Sequence, residues 1–301
     1  MIGGAIKCHA VMRGSLVALV TPMNADGAVD YPAVDRLIDW HVEAGTSALV
    51  IAGTTGEAAT LTHEEHADLI RHAASQAGGR IPVVAGTGSN STAQTIALSV
   101  AVSSAEIAAF LVVTPYYNKP TQEGMARHFT AIADAVEQPL ILYNVPGRTG
   151  VDLLPETVGR LAEHPRIAAC KEATGEVERA GRLRKLCGEE FSLYSGDDAT
   201  ARAFMLAGGD GVISVTSNVA PKQMARMSMA ALSGDKASAE LLDAPLSEMH
   251  DALFVESNPI PVKWVLNRMN RIKNGIRLPL TWLSEPHHER LASAMAKAGV
   301  L

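Results

Sequence analysis

The chain has 301 residues, 47% of them hydrophobic and 19% charged, with a net charge of −6. That is ample for a large core with an appendage, and an acidic balance without long charge runs argues against nucleic acid or an anionic membrane as partner. Cys8, Cys170 and Cys187 are odd in number and lack metal-ligand spacing, so neither a bound metal nor a disulfide framework is expected. No apolar stretch reaches the roughly 18 residues that span a bilayer. Residues 1–11 hold one Lys and only a brief apolar run, too weak for a secretory signal, and the expectation is a cytoplasmic soluble protein.

Apolar, β-branched runs recur at a steady interval: Gly14–Val20, Ala48–Ala52, Ile81–Gly86, Phe110–Thr114, Leu140–Asn144, Ile167–Lys171, Phe191–Ser195 and Gly211–Val215. Their continuous apolar character fits strands covered on both faces. Amphipathic helices are expected between them. Tyr31–Ala44 stops at Gly45, and Thr62–Ala77 opens with Thr62 and Glu65 in capping-box spacing and stops at Gly78-Gly79. Asn90–Ser104, Thr121–Val136, Pro155–Glu163, Glu176–Cys187, Asp197–Ala207 and Pro221–Leu232 continue the rhythm. Strand and helix alternating eight times predicts an α/β fold, a (β/α)8 TIM barrel over residues 14–233, with an open doubly wound sheet as the alternative. Residues 1–13 read as an N-terminal extension. Residues 234–301 carry helical signals only and read as a small C-terminal helical domain.

In such a barrel, chemistry belongs at the C-terminal strand ends and the loops after them. The chemically interesting residues pass that filter: Gly53-Thr54-Thr55-Gly56-Glu57, Thr114-Pro115-Tyr116-Tyr117-Asn118, Tyr143 through Gly150, Lys171, and Ser195-Gly196-Asp197-Asp198. Lys171 says most. A lysine closing a buried strand costs desolvation free energy unless it is paired or uncharged, and an uncharged amine attacks ketones to form a Schiff base. The plainer alternative is a lysine that starts the next loop and points to solvent. Tyr143, one strand away, is a candidate proton shuttle, with Thr55 hydrogen-bonded to it; a strand tyrosine is otherwise ordinary core. The Gly-Thr-Thr-Gly amides suit a carboxylate, and Arg148 on a Pro/Gly-rich loop suits a second one. A small 2-keto acid offers both a carboxylate and a carbonyl.

These five motifs, together with Glu256-Ser257-Asn258-Pro259-Ile260-Pro261-Val262-Lys263, resemble in order and over Met12 to Leu301 the dihydrodipicolinate synthase family of pyruvate-dependent class I aldolases. The resemblance implies a homotetramer, a dimer of dimers, that condenses pyruvate with L-aspartate-4-semialdehyde on the way to lysine with no cofactor beyond the imine. It implies that Lys171 is the Schiff-base lysine and that Thr55, Tyr117 and Tyr143 form a proton relay, Tyr117 reaching into the neighbouring subunit's site. It further implies that Thr54 and Thr55 amides hold the pyruvate carboxylate, that Arg148 binds the semialdehyde carboxylate, and that the Gly196 and Ile213 backbones lie near the imine. For L-lysine as a feedback inhibitor, the matching residues are Ala59, His63, His66, Asn90, Gln94 and Tyr116.

Three departures stand out. Residues 1–11 precede the usual start, Glu106 replaces a usual glycine before the fourth strand and is expected to perturb that turn, and Gln94 replaces a glutamate common in lysine-inhibited relatives. A sialic acid or keto-deoxy-sugar lyase shares most of these motifs; Arg148 in Val-Pro-Gly-Arg-Thr-Gly separates them, because a polyhydroxylated substrate needs hydrogen-bonding groups there. A catalytically silent barrel would have lost Lys171 or Tyr143, and both are present.

Overall fold

The computed structural model describes residues 12–300; of the expected extension over residues 1–13, residues 1–11, with Cys8, lie outside the described residues. Eight parallel strands close into a barrel in chain order: β1 (Gly14–Ala18), β2 (Ala48–Ile51), β3 (Val83–Gly86), β4 (Ala109–Val113), β5 (Leu140–Asn144), β6 (Ile167–Glu172), β7 (Ser192–Ser195) and β8 (Gly211–Ser214). The seam between β1 and β8 pairs Gly14 with Gly211, where a Cβ on Gly211 would stand 2.3 Å from the Gly14 carbonyl oxygen. Glycine is what lets the two backbones meet there.

Side chains alternate between two apolar layers, as a period of two residues requires. Leu16 and Ala18, Ala48 and Val50, Ile141 and Tyr143, Ala169, Tyr194 and Ile213 fill the barrel interior. Val17, Leu49, Ile51, Leu142, Cys170 and Leu193 face the surrounding helices. Both faces of each strand are therefore apolar, which is why the strands read as unbroken hydrophobic runs.

The helices follow the local signals. α1 (Tyr31–Ala44) is capped by the Asp30 carboxylate and stopped by Gly45 at φ 79°. α2 (His63–Ala77) carries the full capping box, Thr62 and Glu65 each accepting the other's backbone N–H, and stops at Gly78. α3 (Thr92–Val102), α4 (Gln122–Ala135), α5 (Pro146–Thr149), α6 (Pro155–Leu161), α7 (Glu178–Cys187), α8 (Asp198–Leu206) and α9 (Pro221–Leu232) complete the ring. The single turn α5 was expected as loop. Proline at its first position and Gly150 at φ 72° after its end bracket one helical turn that carries Arg148.

Beyond α9 the described chain adds helices and no further strand: α10 (Lys236–Asp243), α11 (Ser247–Ala252), α12 (Ile260–Arg268) and α13 (His288–Ala298). No described helix is long and apolar enough to cross a membrane. Glu106 does not strain the turn before β4: it is exposed and lies outside the positive-φ residues, so its side chain projects to solvent at no backbone cost.

Candidate active site

Register places the chemistry. Tyr143 on β5, Lys171 on β6 and Tyr194 on β7 are lateral neighbours, all pointing into the barrel. Lys171 is 6% exposed, and its Nζ stands 4.2 Å from the centroid of the Tyr143 ring. Among the described residues no carboxylate pairs with it, although β6 runs one residue further, to Glu172. Glu172 points the other way, out of the barrel. It accepts from Asn144 Nδ2 at 3.2 Å and the Thr174 amide at 3.0 Å, and pairs with Arg179 at 3.4 Å. Burial pushes the Glu172 carboxyl above its usual range against those donors.

Gly196, after β7, lies against the lysine stem: a Cβ there would stand 2.9 Å from Lys171 Cε and 2.6 Å from Ala173 Cβ. Any side chain at that position takes the space the amine uses. Ile213 on β8 is buried in the same interior layer.

The loop after β2 folds back sharply, with Ala52 at φ 54° and Glu57 at φ 58°. The amides of Thr54 and Thr55 donate to no acceptor among the described residues, while the Thr54 carbonyl accepts from Glu57 N at 3.1 Å. Unspent N–H groups on a glycine-flanked turn are suited to a carboxylate. The loop is gripped from the C-terminal helices. The Glu57 carboxylate, fully buried, pairs with the equally buried Lys263 ammonium of α12 and accepts the Arg277 amide at 3.3 Å. Burial draws the Lys263 ammonium below its usual range, opposed by Glu57. Arg277 in turn grips both oxygens of Glu65 at 2.8 and 2.6 Å.

One expected contact is absent. Thr55 does not hydrogen-bond Tyr143; its hydroxyl is instead held by Asn258 Nδ2 at 2.8 Å. Asn258 belongs to the quoted Ser-Asn-Pro motif, yet nothing in the sequence assigned it a task, because its partner lies 203 residues away. Arg148, exposed at the rim, donates to the Asn258 carbonyl at 3.3 Å and meets no carboxylate among the described residues. Tyr117, at φ 73°, is 89% exposed on the loop after β4.

A cavity of about 560 Å³ opens at this rim, walled by Thr54, Tyr143 and Arg148 on one side and by Ala59, His63, His66, Gln94 and Tyr116 on the other. Asn90 is not part of that wall; its carbonyl accepts from Asn118 Nδ2 at 2.9 Å. His63 and His66 both reach the cavity, but His63 is exposed at the mouth and His66 is buried. His66 Nε2 lies 2.7 Å from the Gly86 carbonyl, and burial pushes this imidazole below its usual range. Gln94 Oε1 accepts from Ser89 Oγ at 3.1 Å.

The profile of the Dihydrodipicolinate synthetase family matches residues 11–298. A 4-hydroxy-tetrahydrodipicolinate synthase of Methylococcus capsulatus is 57% identical over 291 residues, covering 97% of this chain and all of that protein. The crystal structure of a chloride-inhibited dihydrodipicolinate synthase from Acinetobacter baumannii, complexed with pyruvate, superposes with a TM-score of 0.95 at 51% identity, covering 96% of this chain and all of that one. A lysine-bound relative from Cyanidioschyzon merolae superposes with a TM-score of 0.93 at 40% identity, covering 97% and 99% of the two chains. Near-complete coverage at such identity, on the same closed barrel, means that this chain belongs to the Dihydrodipicolinate synthetase family.

Proposed function

We propose that the chain is a lyase-class synthase that joins pyruvate to L-aspartate-4-semialdehyde, giving 4-hydroxy-tetrahydrodipicolinate for lysine biosynthesis through an imine on Lys171. The observation that carries the reading is the buried Lys171 amine beside the Tyr143 ring, with no carboxylate paired to it among the described residues. The relatives' names support the overall reaction.

The steps follow from the groups at hand. Pyruvate enters with its carboxylate on the Thr54 and Thr55 amides, which brings its ketone to Lys171. Attack by Nζ gives a carbinolamine, and loss of its hydroxyl as water needs a proton, which Tyr143 donates and recovers through the relay of Thr55 and Tyr117. Gly196 leaves room for the imine, and the Ile213 backbone lies near it. Removal of a methyl proton gives an enamine, whose carbon attacks the aldehyde held through its carboxylate by Arg148. The amino group of the adduct then attacks the imine carbon and expels Lys171, closing the ring; one water leaves over the whole reaction.

Tyr117 works in a neighbouring subunit's site in this reading, consistent with its exposure and left-handed backbone, within a homotetramer built as a dimer of dimers. L-lysine is the proposed inhibitor, taken up where Ala59, His63, His66, Gln94 and Tyr116 wall the cavity, with Asn90 beside it. Because Gly86 O can only accept, His66 Nε2 carries the proton, which leaves Nδ1 as an acceptor for an ammonium. A coupled assay with pyruvate and aspartate semialdehyde, run beside sialic acid cleavage, tests the reading. Turnover of the first pair is expected; cleavage of sialic acid alone would make the chain a sugar lyase.

A further inference from the structure

We propose that Asn258 is a positioning residue that sets the direction of the proton on Thr55, a role that rests on the reading of Thr55 as part of the relay. Asn258 is 6% exposed, and its Nδ2 donates to Thr55 Oγ1 at 2.8 Å. A threonine hydroxyl has one proton and two acceptor sites. An amide N–H entering one lone pair leaves the O–H free to donate elsewhere, and so fixes Thr55 as a donor toward the site. Were the partner an acceptor, the same proton would be drawn out of the relay.

Asn258 is held well enough to do this. Five residues on, Lys263 is locked in a buried ion pair with Glu57, two residues beyond Thr55, so the two segments are pinned at two points. The Asn258 carbonyl also receives the Arg148 guanidinium at 3.3 Å, placing the amide between the relay and the carboxylate clamp. Asn258 Oδ1 is buried with no hydrogen-bond partner. A purely structural asparagine would be expected to use both halves of its amide; this one spends only the donor.

The test is a double-mutant cycle read by the rate at which pyruvate and borohydride label Lys171, followed by mass. Asn258→Ala should slow labelling about tenfold, and should slow it no further in a Thr55→Val background. The KM for the semialdehyde should hold, because Arg148 binds the backbone carbonyl that the variant keeps. Asn258→Asp, which turns the donor into an acceptor and preserves shape, should be slower than Asn258→Ala and carries the cycle if the alanine variant fails to fold. Equal slowing by Asn258→Ala in both backgrounds would make Asn258 a strut and overturn the proposal. So would parental labelling by Asn258→Asp. If Thr55→Val alone labels at the parental rate, it is the relay reading of Thr55 that falls, and this proposal with it.

Discussion

Two lysines are buried among the described residues, and the fold treats them in opposite ways. Lys263, 0% exposed, sits on the Glu57 carboxylate; Lys171, 6% exposed, has a tyrosine ring for company and no carboxylate among the described residues. Two arginines repeat the contrast. Arg277 grips both oxygens of Glu65, whereas Arg148 finds only a backbone carbonyl. Cations closed off by the protein's own anions hold the loop after β2 in its strained shape. Of the cations left open, Arg148 lines the cavity and Lys171 stands behind the Tyr143 ring that lines it, where a substrate carboxylate or ketone is the missing partner. An internal carboxylate beside Lys171 would favour the ammonium and remove the nucleophile.

The sharpest way to break this contrast is Lys171→Arg, which keeps a cation and removes the amine. Turnover should fall by about three orders of magnitude or more, with the melting midpoint little changed, and borohydride labelling of the Lys171 peptide should vanish. Retained labelling elsewhere in the chain would mean the open lysine is not the nucleophile.

Lys263→Met attacks the closed pair instead. It leaves the Glu57 carboxylate buried without a charge partner, a loss of about 3–5 kcal/mol, seen as a lower urea midpoint. Adding Glu57→Gln should return part of it. A single variant as stable as the parent would show that the pair clamps nothing.

A third way to bury a base is to leave it uncharged. Burial drives His41 down to about 3 and His128 down to about 4. Their ring Nδ1 atoms meet Thr46 and Thr92 hydroxyls at 2.8 and 2.9 Å. Below the ordinary histidine range, near 6.5, the unfolded chain takes up protons that these sites refuse in the fold. Stability should therefore fall as pH drops from about 6.5 toward 4, by a few kcal/mol in all. Urea midpoints at pH 7 and pH 5 read the slope, and His128→Gln should flatten it.

At the open rim, Arg148→Ala should raise the semialdehyde KM and lower kcat, roughly ten- to a hundredfold in kcat/KM for a lost charged hydrogen bond. Labelling by pyruvate should survive. Loss of labelling with unchanged semialdehyde kinetics would reassign the residue. The smallest effect is expected at Gln94. It offers a neutral acceptor where a glutamate would offer charge, so lysine should inhibit the parent poorly and Gln94→Glu about tenfold more strongly, measured as the inhibitor concentration that halves turnover. Tight inhibition of the unaltered chain would show that an amide is enough.

Much of this was legible in the residues alone. The eight apolar runs became β1 to β8 with ends shifted by a residue or two, and Thr62 with Glu65 formed the capping box its spacing predicts. Lys171 and Tyr143 were identifiable as neighbours because both lie near the ends of consecutive apolar runs, which strands paired in chain order set side by side. α5 was hidden because Pro-Gly reads as a turn until a following glycine caps it. Glu106 proved harmless because its backbone needs no left-handed angle.

What the sequence determined by itself was the eight strand-and-helix units, the strand ends on which the chemistry stands and the lysine that closes the sixth run, since each depends on residues within a few positions of one another. What only the tertiary structure decided was which group holds which. Asn258 takes the hydroxyl expected to meet Tyr143, Lys263 answers Glu57 across 206 residues, and Arg277 answers Glu65 across 212. Residue types state that a charge or a hydroxyl needs a partner; selecting it among many acids, bases and amides takes the closure of the barrel, which brings the chain's far end onto the loop after β2.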